Sequence, residues 1–522
     1  MTISPPPAAG EQHLLLNSTA IRAIEQKHVA AGANLMERAG LAAANAARAM
    51  LRGARRHPAR VLVLAGPGNN GGDAVEAAVH LKHAGFEISV WFDGDAARLP
   101  RDAQAAHQKW TAAGGTCSDA LPVPDHFDLI IDGLFGIGLK RALGAPFSDI
   151  VERINQAASR NALAVLALDV PSGLDSDTGH VTGWVMRATR TLTFIADKPG
   201  LHTLSGPDCA GTIEVAQLDL RIDAPADSGR LASRNDFGVL LAPRQRNTHK
   251  GSYGSLAIFG GARGMTGATL LAGRAALKLG AGKVFIGLID DQAFTCDPLQ
   301  PELMLRAATA LLEENLSAAV VGPGLGGSSA ARQLLSATLA LSIPLVLDAD
   351  ALNLLGADTA LAKLTSERAA PTIMTPHPLE GARLLGVSTA EIQQNRIAAA
   401  REIARRYRAS VVLKGAGSVI ASANGAWWIN PTGNPGMASA GMGDVLSGIV
   451  GAFFAQHHAD NNVGASHCSS DHGLQPLVAA VFLHGAAADA LVARGIGPVG
   501  LTAGELLDEA RALWNTWHQP RL

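Results

Sequence analysis

Short apolar runs alternate with longer Ala- and Leu-rich stretches along the chain. The runs are VLVLA at 61–65, ISVWF at 88–92, DLIID at 128–132, AVLALD at 164–169 and TLTFI at 191–195. They continue with SLAIFG at 255–260, KVFIGLI at 283–289, AAVVG at 318–322, PLVLDAD at 344–350, PTIMTP at 371–376 and SVVLKG at 410–415. Continuous apolar strands separated by helical stretches predict parallel sheets covered on both faces. Segment 221–236, RIDAPADSGRLASRND, is polar and carries Pro, Gly and Ser. It predicts a break between two α/β domains of three layers each, spanning 1–225 and 237–522 with 226–236 as linker. Segment 456–475, QHHADNNVGASHCSSDHGLQ, predicts a solvated insertion. Its His457, His458, His467, Cys468, Asp471 and His472 would bind a metal only adventitiously.

Composition narrows the picture. A chain of 522 residues is long for one core, and 48% hydrophobic against 17% charged residues marks a well-cored globular protein. A net charge of −2 and 4% aromatics give no reason to expect nucleic acid or an anionic membrane as partner. Cys117, Cys209, Cys296 and Cys468 are scattered without zinc-like spacing, which predicts free thiols in a reducing compartment. MTISPPPAAGEQ at the start lacks the features of a secretory signal, and no apolar run approaches the roughly 20 residues of a membrane helix. A cytoplasmic homo-oligomeric enzyme is the expectation.

Two Gly-Asp loops carry the chemistry: GPGNNGGDA at 66–74 and NPTGNPGMASAGMGDVLSG at 430–448. Each puts flexible backbone and one carboxylate near a helix N-terminus, where N–H groups and the helix dipole bind phosphate. GPGNNG fits the GxGxxG of dinucleotide sites, with Asp93 about 20 residues on. Asn69, Asn70 and Asp73 argue for something else, because a carboxylate at that helix start repels a pyrophosphate. Two further loops, DGLFGIGLKRALGAPF at 132–147 and LDVPSGLDSDTG at 168–179, should meet the same sheet edge. Asn70, Asp132, Asp169 and Ser172 then converge as oxygen donors suited to an alkali or alkaline-earth cation. The turn at Gly136, Ile137 and Gly138 offers N–H groups to phosphate beside Lys140 and Arg141.

GPGNNGGD, DGLFGIGL and LDVPSGLDSDTG together resemble the NAD(P)H-hydrate epimerase family over roughly residues 15–220. The resemblance implies a Rossmann-like domain that inverts C6 of the hydrated nicotinamide ring. It implies a potassium ion on Asn70, Asp132 and Ser172, with Asp132 ionised beside it and Asp169 handling the proton at the reacting carbon. Substrate contacts would come from Asn69, Asn70, Gly71, Gly72, Asp73, Gly136, Ile137, Gly138, Leu139, Lys140, Arg141, Ala142 and Asp169. Ala74 and Ile137 stand where Gly and Thr are common, and are expected to narrow the pocket without disabling it.

In the second half, residues 249–282 predict a strand, a Gly-rich turn and a helix from near Thr266. VVGPGLGG at 320–327, LDADALN at 347–353, TPHPLE at 375–380 and KGAGSVI at 414–420 follow, then GMGD ahead of the apolar VLSGIVGAFFA. The set resembles the ribokinase-like ADP/ATP-dependent NAD(P)H-hydrate dehydratases over roughly 237–515. The resemblance implies phosphoryl transfer to the C6 hydroxyl of the S hydrate, followed by loss of phosphate to restore NAD(P)H. Asp444 would be the base and contact the hydrate. Lys414, Gly415, Ala416, Gly417, Ser418 and Gly443 would hold ADP, with magnesium, or ATP. Ala268, Gly324 and His377 would line the pocket for NADHX or NADPHX. Leu379 replaces a common Gly beside Glu380. A vitamin or sugar kinase with a non-catalytic N-terminal binding module remains the alternative, distinguished by a stable phosphorylated product.

Overall fold

The computed structural model describes residues 13–54, 56–139, 141–290, 295–461 and 474–518, and it divides into two compact units between Gly229 and Arg230. In the first unit the predicted apolar runs become β1 (Arg60–Ala65), β2 (Glu87–Trp91), β4 (Leu129–Gly133), β5 (Ala164–Leu168) and β6 (Arg190–Phe194). Two strands escaped prediction, β3 (Cys117–Ser118) and β7 (Thr212–Ala216), because both are edge strands with exposed residues. The sheet is parallel throughout, in the order 3-2-1-4-5-6-7.

Alternate residues of β1 face opposite cores. Val61 and Val63 pack with the helices Leu35–Met50, Asn69–His83 and Arg101–Ala112. Leu62 and Leu64 pack with Ile150, Val151 and Ile154 of the helix Phe147–Asn161. The strand order reverses between β1 and β4, so the loops leaving their C-terminal ends diverge and open a crevice. The two strand ends come so close that a Cβ on Gly66 would lie 1.7 Å from the Leu134 carbonyl oxygen.

The second unit contains β8 (Gly229–Leu231), β9 (Ser255–Gly260), β10 (Lys283–Leu288), β11 (Met304–Ala307) and β12 (Ala318–Val321). Then come β13 (Leu345–Leu347), β14 (Thr372–Met374), β15 (Ser410–Leu413), β16 (Val419–Ala421) and β17 (Trp427–Ile429). They run in the order 8-17-16-15-14-13-12-9-10-11. The stretch from β11 to β15 is parallel, and β16 pairs antiparallel with both neighbours. β8 lies inside the segment expected as linker. Arg230 and Leu231 pair with Trp428 and Ile429, so hydrogen bonding at a sheet edge orders a polar sequence that lacks a strand pattern.

The helices Met442–Asn461 and Gln475–Ala493 contribute much of this unit's core. The second is long and apolar enough to cross a membrane, contrary to the expectation from apolar runs, but 67% of its span is buried inside the unit. An all-round apolar helix is what a core position demands. Residues 462–473 of the expected insertion, with His467, Cys468, Asp471 and His472, lie outside the described residues. Cys117, Cys209 and Cys296 are free thiols.

Candidate active sites

In the first unit, three loops meet at the crevice between β1 and β4. Asp132, fully buried at the end of β4, accepts hydrogen bonds from the Ser172 hydroxyl (2.7 Å), the Ser172 amide (2.9 Å) and the Leu134 amide (3.2 Å). Burial pushes its carboxyl up to about 6, against these hydrogen bonds, which pull it down. The protein groups alone therefore favour the ionised form less than expected for a carboxylate beside a cation. Ser172 also accepts from the Phe135 amide at 2.9 Å, tying the 132–147 and 168–179 loops together.

Asn70 is the second residue of the helix Asn69–His83, and neither its side-chain oxygen nor its nitrogen has a hydrogen-bond partner although the residue is only 9% exposed. A Cβ on Gly136 would lie 2.9 Å from Asp169 Oδ2 and 3.4 Å from Asn70 Cγ, so only glycine lets the three loops approach here. Asp169 holds φ at +67°, a strained value for a residue with a side chain. Its Oδ2 accepts from the Ile137 amide at 3.2 Å. Its Oδ1 pairs with Lys198 Nζ at 2.7 Å.

Lys198 was not legible as a site residue. It is fully buried, and Nζ also donates to Thr193 Oγ1 (2.7 Å) and to the carbonyls of Phe194 (2.9 Å) and Ala196 (3.2 Å). A buried ammonium with every donor engaged holds its carboxylate in one place. Asp73 is pushed well above the usual carboxylate range by burial and by the neighbouring Asp169, Glu25 and Glu76.

Asn69, Arg141 and Ala142 are exposed, and Lys140 lies outside the described residues. Leu139 packs on the core that contains Leu62 and Trp91. Gly71 and Gly72 are demanded by packing: added Cβ atoms would sit 2.0 Å from the Gly66 carbonyl oxygen and 2.6 Å from Met36 Cε. Ala74 does not narrow the pocket. It is fully buried, and its Cβ faces Gly133, where an added Cβ would come within 2.4 Å. Ile137 rests against the core through its partly buried side chain, and its backbone serves Asp169.

In the second unit, Asp444 lies in the first turn of the helix Met442–Asn461. Burial and the carboxylates of Asp348 and Asp350 raise it to about 6, opposed by Lys414. Lys414 Nζ lies 2.8 Å from Asp348 Oδ1, and the other Asp348 oxygen accepts from the Ser447 hydroxyl at 2.5 Å. Burial alone would depress the Lys414 ammonium, but Asp348, Glu380 and Asp444 hold it above the ordinary lysine value. A Cβ on Gly443 would lie 3.2 Å from Lys414 Nζ, so that glycine keeps the approach to the ammonium open.

Gly324 keeps φ at +59° with Met265 against it, and Gly326 donates to Asp350 at 2.8 Å. Ala268 lies half-buried in the first turn of the helix Thr266–Lys278. His377 caps the helix Pro378–Leu385, its Nδ1 accepting from the Leu379 and Glu380 amides at 3.1 and 3.3 Å. Its Nε2 lies 3.3 Å from Glu380, which burial raises to about 7.

Neighbouring side chains hold these loops. Arg396, 2% exposed, donates to the carbonyls of Leu413 (3.1 Å) and Lys414 (3.2 Å) beneath the loop of Gly415, Ala416, Gly417 and Ser418. The Ser418 hydroxyl closes that loop on Gly415, accepting from its amide at 3.2 Å and donating to its carbonyl at 3.0 Å. Asp489 accepts from the Gly433 amide at 2.8 Å and Asn434 Nδ2 at 2.9 Å, fixing the approach to GMGD. Asp348, Glu380, Ser447, Arg396 and Asp489 were all missed as site residues. LDADALN, TPHPLE and the 430–448 loop contain Asp348, Glu380 and Ser447, but Arg396 and Asp489 act across sequence gaps that no local motif spans.

Comparison with known proteins agrees with both halves. Residues 32–200 match the family described as YjeF-related protein N-terminus, and residues 256–510 match NAD(P)H-hydrate dehydratase. A bifunctional NAD(P)H-hydrate repair enzyme of Coxiella burnetii is 38% identical over 517 residues, covering 96% of this chain and 99% of its own. The Escherichia coli enzyme of the same description is 38% identical over 488 residues, covering 92% and 89%. A Bacillus subtilis ADP/ATP-dependent NAD(P)H-hydrate dehydratase co-crystallised with ATP/Mg2+ is 31% identical, covering 53% of this chain and 94% of its own with a TM-score of 0.44. With end-to-end similarity at this level and a family match on each unit, the chain belongs to the bifunctional NAD(P)H-hydrate repair enzymes, an epimerase followed by a nucleotide-dependent dehydratase.

Proposed function

We propose that Asp444 is the base of the dehydratase and Asp169 the acid/base of the epimerase. The observation that carries the first assignment is a carboxylate near pH 6 at a helix N-terminus, beside a buried Lys414–Asp348 pair. A base with that affinity takes the C6 hydroxyl proton of the S hydrate near neutral pH. The helix N-terminus and Lys414 oppose the charge of the phosphoryl group in transfer. Phosphate is then a far better leaving group than hydroxide, and its departure restores NAD(P)H. The backbone donors around Gly415 and Gly443 suit ADP, carried with magnesium; they contact phosphates without counting them, so ATP is the competing donor.

In the epimerase, Lys198 holds Asp169 against the inverting centre. Asn70, Asp132 and Ser172 would hold potassium, and the unpartnered Asn70 side chain is the observation that favours it. Bound there, the ion would supply a fixed positive charge for the substrate's phosphates or carboxamide. Epimerisation makes both hydrates available to the dehydratase, within a cytoplasmic enzyme.

The test is Asp444→Ala on mixed R and S hydrates. Dehydration should fall about 10²–10⁴-fold, the usual contribution of a positioned base, while R and S still interconvert. Near-normal dehydration by this variant would refute the assignment.

A further inference from the structure

The segment from Leu15 to Glu25 precedes the family-matched region, which begins at residue 32, yet it is fastened to two of the three loops of the epimerase site and to the segment that follows β6. Leu16 donates its amide to the carbonyl of Asp197 at 2.9 Å, next to the buried Lys198. Ser18, the first residue of the helix Ser18–Ala30, donates through its amide and hydroxyl to the two carboxylate oxygens of Asp177, both at 2.6 Å. Asp177 belongs to LDVPSGLDSDTG, the loop that carries Asp169 and Ser172. Arg22, one turn further on, donates to the carbonyl of Ile137 at 3.3 Å. These attachments hold the helix against the 132–147 and 168–179 loops, and they leave Glu25, one turn beyond Arg22, half-buried on it.

Glu25 is near enough to Asp169, Lys198, Arg22 and Asp73 for their charges to interact. Burial first, and Asp169 second, push its carboxyl above the ordinary glutamate value, opposed by Lys198 and Arg22. Asp169 is ion-paired with Lys198 at 2.7 Å; Glu25 makes no such pair among the described residues. Two carboxyl groups in one pocket with environments that differ in this way divide acid and base roles between them. The Asn70 side chain, buried and unpartnered beside Asp169, marks the same space as one built to receive a ligand.

We propose that Glu25 is a second catalytic residue of the epimerase, the general acid that works opposite Asp169. This rests on the reading of Asp169 as the acid/base. The inverting carbon C6 bears a hydroxyl and a single bond to the ring nitrogen. Asp169 removes the hydroxyl proton, C6 becomes an aldehyde carbon, and the C6–N bond breaks with its electron pair going to nitrogen. Glu25 gives that nitrogen its proton. Rotation about the C5–C6 bond presents the other face of the aldehyde. Return of the proton from nitrogen to Glu25, and from Asp169 to oxygen, closes the ring with C6 inverted. Atoms and electrons balance without a further reactant.

The experiment compares Glu25→Gln and Asp169→Asn in the full chain, following separated R and S hydrates without nucleotide. Glu25→Gln should lower kcat for interconversion by about 10²–10⁴-fold, the range for one positioned acid, with KM within a few-fold. The wild-type rate should fall on the alkaline side as the Glu25 proton is lost, and this limb should vanish from the residual activity of Glu25→Gln. Amide hydrogen exchange in β5 and β6 of the same preparation reports that the first unit is folded. A loss under tenfold, or a retained alkaline limb, overturns the role of Glu25. Interconversion by Asp169→Asn at the wild-type rate instead overturns the reading on which the proposal rests.

Discussion

Replacing Lys198 by Met tests whether the buried ammonium holds Asp169 or merely fills space. The substitution conserves the length of the side chain and removes the charge. It leaves an Asp169 carboxylate that is 9% exposed without its 2.7 Å partner, and deprives Thr193, Phe194 and Ala196 of a shared donor. Removing one member of a buried ion pair costs about 3–5 kcal/mol. The lower end applies here, because Asp169 borders a crevice that water can enter and keeps the Ile137 amide as a partner. A loss of about 3 kcal/mol is roughly 150-fold in the opening equilibrium at 1.36 kcal/mol per decade. Hydrogen exchange of amides in β5 and β6 reads this within the first unit, while dehydration of S hydrate reports on the second. Adding Asp169→Asn removes the stranded charge, so the double variant should recover about 1–2 kcal/mol relative to additivity. Strict additivity, or protection of β5 and β6 unchanged in Lys198→Met, refutes the pairing argument.

The dehydratase should lose kcat/KM tenfold per pH unit below about 6, because Asp444 acts ionised and its carboxyl is raised to about 6; a rate flat from pH 5 to 7 contradicts this. Ala74→Gly should leave epimerisation within a few-fold and cost about 1 kcal/mol in denaturation, since that methyl packs on Gly133 in a helix interior. A large gain in epimerase rate would show that Ala74 does constrict the pocket. Arg396→Lys cannot reach Gln393 with one nitrogen and the Leu413 and Lys414 carbonyls with another, so KM for the nucleotide should rise about tenfold or more with epimerisation unaffected. Steady-state assays with purified ADP and ATP should show preference for ADP; a clear preference for ATP overturns that choice of donor.

What the sequence determined by itself was whatever short-range pattern encodes. Continuous apolar runs such as VLVLA and SLAIFG are legible as buried parallel strands because a strand covered on both faces tolerates no polar alternation. GPGNNGGD and GMGD are legible because a backbone that meets a helix start closely needs glycine, and its chemistry needs a carboxylate within a few residues. The family resemblance followed from those same loops. Tertiary structure decided which groups stand beside them. β8 is a strand only because the edge of β17 offers it partners. Lys198 is a neighbour of Asp169 only because β5 and β6 lie side by side. The helix that carries Glu25 is held beside the site by attachments of its segment to residues 137, 177 and 197, far along the chain. Ala74 reads as a pocket residue in its motif and as a packing residue in the fold. The direction of a Cβ is set by helix and sheet together, which a local pattern does not record.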